Sequence, residues 1–175
     1  MQALSKAIIT EAAQAAGLPE GRVMGLSASD NLTIPRPRIE LQWLPETYTR
    51  LPRKLGHLWP CADRETRLLK RELYQVKMDV SANVLAEDAA WLSVFISAFV
   101  AALPKGVNNM AGNWVRIAAQ RGEWLNQPEK RVGLDVIKVF ERAAQVLIIN
   151  FAWRITQDEW QQMVTNMELK HKNTK

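Results

Sequence analysis

The amino-acid sequence predicts an α+β protein: a mainly antiparallel sheet of about four strands, helices packed on one face, and an extended arm or hairpin between the first two strands. Three observations carry this expectation. Several stretches alternate apolar and polar residues with the period of a half-buried strand, as in Thr33 to Trp43. A mainly apolar run, Ala89 to Leu103, has helical length and helical spacing. Between the first two alternating stretches lies a proline-studded excursion, Pro45 to about Glu65.

Taken in order, residues 3–16 read as an amphipathic helix, with Leu4, Ile8, Ala12 and Ala15 on one stripe and Gly17 as its stop. A connection rich in glycine, serine and asparagine follows, "GLPEGRVMGLSASDN". In the first strand Ile39, Leu41 and Trp43 point one way and Arg38, Glu40 and Gln42 the other. Pro35 and Pro37 lack an amide donor, so that end belongs at a sheet edge or outside the ladder. The excursion holds Pro45, Pro52 and Pro60, with room for a strand of its own at Tyr48 to Lys54. A loop this long is uncommon unless it is functional or ordered by a partner.

The second clear strand is "RELYQVKMDVSANV", where Tyr74, Val76, Met78 and Val80 alternate with Gln75, Lys77 and Asp79. Glu87 and Asp88 place acids at a helix start. That helix sets Leu92, Phe95, Ile96, Phe99 and Leu103 on one face and stops at Pro104. It is apolar around most of its circumference, which predicts deep packing against a sheet. After the turn-rich "KGVNNMAGN" comes a weaker strand, "NWVRIAAQRGEWL", bending at Gly122. The strongest β signal is "RAAQVLIINFAWRIT", with Leu147, Ile149, Phe151, Trp153 and Ile155 on one face. Its length, about 13 residues at ~3.3 Å each, exceeds the usual strand. Thr156 and Glu159 then form a capping-box pattern for a C-terminal helix, with Trp160, Met163, Val164 and Met167 as its apolar stripe. The expected organisation is one domain over residues 1–156, followed by a helix and frayed basic tail over 157–175.

The totals narrow the class. A chain of 175 residues, 47% apolar and 23% charged, matches one ordinary globular domain. One cysteine, Cys61, rules out an internal disulfide and fits synthesis in a reducing cytoplasm. The N-terminal stretch is too polar for the core of a signal peptide. Ala89–Leu103 falls short of the ~20 residues that span a bilayer, so no membrane partner is expected. The net charge of +5 is local: ten basic residues face five acids between Arg36 and Lys77, and the remainder balances at thirteen of each. Such an excess steers acidic partners or polyanions.

Catalytic chemistry finds no constellation. His57 and His171 are the two histidines; one sits in "KLGHLWP" and the other in a lysine-rich tail. Two histidines and one cysteine far apart do not furnish a soft-metal site. No GxxxxGK[ST] or GxGxxG phosphate cradle occurs. The expectation is a protein that is not an enzyme and takes no cofactor or metal. A basic nucleic-acid-binding module stays open, because arginines interleave with Trp43, Tyr48 and Trp59, although acids are mixed among them.

The order helix, strand, long arm, strand, helix, two strands resembles the phage tail terminator (tail completion) family. The N-terminal helix, the strands flanking "RPRIELQWLPETYTRLPRKLG", the helix Ala89–Leu103 and the closing "VLIINFAWRIT" carry the likeness, over roughly residues 3–156. The resemblance implies a structural virion protein, made in the host cytoplasm and resident in the tail. It implies a hexameric ring that caps the tail tube and sheath and meets neck or connector proteins. DNA crossing the lumen would touch it only non-specifically. Another head–tail neck or connector role is the near alternative.

On this reading Arg36, Arg38, Trp43, Tyr48, Arg50, Arg53, Lys54 and Trp59 are the candidates for subunit or polyanion contacts. Trp160, Met163 and Met167 are the candidates for docking on a partner. Of the seven tryptophans, Trp91, Trp114 and Trp153 read as core, whereas Trp43, Trp59, Trp124 and Trp160 lie near loops or ends and suit an interface.

Overall fold

The computed structural model describes residues 1–25, 35–51, 57–60, 66–124 and 143–162. Helix α1 (Gln2–Ala15) is followed by strands β1 (Val23–Gly25), β2 (Arg38–Trp43), β3 (Thr47–Arg50), β4 (His57–Pro60) and β5 (Thr66–Ala86). Helix α2 (Ala89–Ala102) leads to β6 (Gly106–Asn108), β7 (Trp114–Trp124) and β8 (Ala143–Gln162). The strands form one eight-stranded sheet in the order β1-β2-β5-β8-β7-β6, with β3 and β4 also paired to β5.

This corrects the expectation of a mainly antiparallel sheet of about four strands. The sheet is mixed, because β1 pairs with β2 in parallel, Val23 opposite Ile39. The extra strands β1, β4 and β6 are three or four residues long, too short for a period to register in sequence, whereas β3 falls at the start of the stretch Tyr48 to Lys54, which has room for a strand. They exist because a neighbouring strand offers them a ladder. The expected arm between the first two strands is also drawn into that sheet. The Leu44 amide donates to the Asp79 carbonyl at 2.9 Å and the Leu51 amide to the Leu73 carbonyl at 3.0 Å. The partner number falls as the donor number rises, as in an antiparallel pair. Strands β2 and β4 each pair antiparallel with β5, Trp43 opposite Val80 and His57 opposite Lys70. The stretch between β2 and β3 holds Pro45, which has no amide to give the ladder.

The residues partition into two compact units, Met1–Thr47 with Val76–Trp153, and Tyr48–Gln75 with Arg154–Lys175. The first bears both helices. Its core is the side of β2, β5, β7 and β8 lined by Ile39, Leu41, Val76, Met78, Val80, Val115, Ile149 and Phe151. The period-two alternation read from the sequence sets this face. Helix α2 adds Leu92, Phe95, Ile96 and Phe99 to it, and Trp91, Phe95 and Phe99 stack in succession at 4.8 and 5.8 Å. Asp88 caps α2 by accepting from the amides of Ala90 and Trp91, and Leu103, extended ahead of Pro104, ends it.

Helix α1 buries Ser5, Ile8, Ile9, Ala12 and Ala13, so its inner stripe is rotated from the expected one and leaves Ala15 outside. Gly17, at φ +99°, closes it: its amide donates to Gln14 and the Leu18 amide to Ala13, the Schellman pattern, with Leu18 buried.

The second unit is built from β3, β4 and the outer ends of β5 and β8. Here the expected C-terminal helix is corrected. Thr156 to Gln162, with Trp160 among them, continues β8 as strand. A capping box is worth on the order of 1 kcal/mol, a local preference that tertiary context overrides. Met163 and Met167 lie outside the described residues.

Candidate functional site

The candidate site is the second unit, here called the strand unit. Every residue from Leu44 to Arg50 is exposed, so β3 presents both of its faces to solvent. Tyr48 is 57% exposed. Of the strand unit's described side chains (Tyr48–Leu51, Arg71–Gln75 and Arg154–Gln157), none is buried. All the buried residues of the described chain belong to the helix-bearing unit. A strand normally hides one face in a core. These strands hold their backbone ladder with no described core beneath it.

Charge divides along the same line. The strand unit's sequence carries eleven basic residues against six acidic, and the helix-bearing unit twelve of each, so the net +5 belongs wholly to the strand unit. Arg154 pairs with Glu72 within it. The other Glu72 carboxylate oxygen is buried without a hydrogen-bond partner, an acceptor that costs about 1–3 kcal/mol while it lacks a donor.

The sequence-derived candidates separate into distinct roles. Tyr48 and Arg50 lie on the exposed strand β3. Trp59 lies in β4 opposite Leu68. Arg53 and Lys54 fall outside the described residues. Arg36 and Arg38 make contacts within the helix-bearing unit. The Arg36 guanidinium donates to the Ala86 carbonyl at 3.1 Å, where β5 ends, and Arg38 pairs with Glu40 at 2.8 Å. Trp43 is half-buried against the core, with its indole N–H donating to the Ser5 hydroxyl at 2.9 Å. Trp160 lies in β8.

Sequence reasoning missed one surface. Trp114, read as core, is 58% exposed. The signal was its parity with Arg116, since the pair shares the face opposite buried Val115 and Ile117. Among the described residues no cluster of three or more histidine, cysteine, aspartate or glutamate side chains can hold a metal ion, and no helix is long and apolar enough to cross a membrane.

No protein-family model matches the chain, and no curated protein matches it.

Proposed function

We propose that the protein is a structural assembly subunit, not an enzyme, that forms a hexameric ring capping a phage tail tube and sheath and joining it to the neck. The observation that carries the assembly part is the strand unit: a net-basic set of strands in which β3 is exposed throughout and no described side chain is buried. Strands of that kind gain stability when a second surface covers them, because burial of apolar area returns about 25 cal/mol per Å². The tail assignment draws on the order of the longer elements, α1-β2-β5-α2-β7-β8, with the β3–β4 stretch between β2 and β5. In this reading Tyr48, Arg50 and their neighbours lie across an adjacent copy or a tube, sheath or connector protein. A heterologous contact of this type generates a ring when the rotation between successive copies closes.

Native mass spectrometry and negative-stain imaging of the full chain, alone and with tube protein, test the proposal. Closed rings support it. A monomer under every condition overturns it. Co-assembly with a portal ring in place of tube and sheath would move the protein to the neck.

The concentration of the whole net charge in the strand unit favours a second reading, a polyanion-binding set of strands. It predicts binding to duplex DNA whose log affinity falls steeply with log salt. No binding at low salt removes it.

A further inference from the structure

Two patches of the helix-bearing unit stand exposed and bear no charge at their centres. The first is the tip of the β6–β7 hairpin. Met110 is fully exposed there, and Trp114 is 58% exposed at the start of β7. The tip is held rigid. The Asn109 side-chain oxygen accepts from the amides of Ala111 and Asn113, at 3.0 and 2.9 Å. The Asn109 amide donates to the Asn113 carbonyl and the Gly112 amide to the Asn109 carbonyl, both at 2.9 Å. Gly112 turns the chain at φ +73°. The Trp114 indole lies over Gly106, where a Cβ would come within 2.5 Å of Cζ2.

The second patch is the outer face of α2. The helix has no charged residue between Ala89 and Ala102, and its outer face carries Val94, 73% exposed, and Val100, 38% exposed, among alanines and serines. A solvent-facing helix surface ordinarily carries charge.

We propose that the β6–β7 tip of one copy docks on the outer face of α2 of a second copy. Charge argues for this pairing. Exposed Arg116 shares the face of β7 that carries Trp114, and exposed Glu87 and Asp88 stand at the start of α2, so these neighbours of the two patches are opposite in sign. Shape and entropy agree. The hydrogen-bonded turn leaves little backbone freedom to lose on docking, and a face of small residues lets large side chains lie close to the helix. Because the two patches differ, the contact is head-to-tail. It rests on the reading that copies of this chain associate, and it adds a surface separate from the strand unit.

The test uses the full chain with its one native thiol removed by Cys61→Ser. Met110→Cys and Val94→Cys variants are oxidised singly and as a mixture. A covalent dimer that forms in the mixture, well above either variant alone, is the expected result; equal yields overturn the inference. In parallel, Trp114→Ser and Val94→Asp are compared with the parent by native mass spectrometry, after circular dichroism melts show them folded. The expected change is a roughly tenfold or greater rise in the dissociation constant. If the parent assembles and both variants assemble equally well, the inference fails and the ring reading stands. If the parent is monomeric throughout, both fail.

Discussion

The Trp43 indole N–H donates to the Ser5 hydroxyl at 2.9 Å, joining strand β2 to helix α1 where Ser5 is fully buried. A residue that sequence position assigns to an interface thus anchors a helix to its own sheet. Its ring edge also lies 3.1 Å from where a Cβ on Gly25 would stand, so Trp43 reaches across β2 toward β1. Trp43→Phe removes the donor and leaves the Ser5 hydroxyl one partner short. It should cost about 1–3 kcal/mol in urea unfolding without changing the assembly state.

Asn150 on β8 donates its side-chain amide to Asp79 on β5 at 2.8 Å, on the sheet face away from the apolar core. Asn150 is 8% exposed. Asn150→Leu keeps the volume but withdraws the donor from a partly buried carboxylate. A loss of about 1–3 kcal/mol is expected, and Asp79→Asn, which replaces the unpaired carboxylate with a neutral amide, should recover part of it in the Asn150→Leu background. Chemical denaturation of the two single variants and the double variant reads both values.

Gly106 makes room for Trp114. Gly106→Ala would place a methyl 2.5 Å from the Trp114 ring and 2.6 Å from the Val115 carbonyl oxygen, so the indole and the local backbone must shift. The expected signs are a changed tryptophan emission spectrum and a stability loss of roughly 1–3 kcal/mol. A Trp114→Ala background should remove most of the spectral change.

The strand unit and the core should respond oppositely to truncation. Phe99 is fully buried between α2 and the sheet, and Phe99→Ala should destabilise the monomer by about 3–5 kcal/mol. Tyr48→Ser and Arg50→Ser, on the exposed strand β3, should change monomer stability by no more than about 0.5 kcal/mol. If these strands meet a neighbouring copy, the same two changes weaken assembly, and analytical ultracentrifugation across a concentration series separates the two effects.

Patterning made the long elements legible. The alternation of Ile39, Leu41 and Trp43, of Val76, Met78 and Val80, and of Leu147, Ile149, Phe151 and Trp153 identifies three faces that all join the core. Leu92, Phe95, Ile96 and Phe99 do the same for α2. Each of these signals is local and repeated, so burial can be read from a short window. The exposed, proline-interrupted character of Leu44–Arg50 and the local excess of positive charge are likewise written in the chain.

Tertiary structure alone decided the rest. Strands of three or four residues such as β1, β4 and β6 have no intrinsic stability, and only a partner ladder creates them. The segment Thr156–Gln162 has a helix-start pattern yet continues β8, because tertiary context overrides one local cap. Trp114 leaves its expected place in the core for a related reason. A tryptophan is buried or displayed according to which face of the sheet the helices cover, and that choice depends on residues distant in sequence.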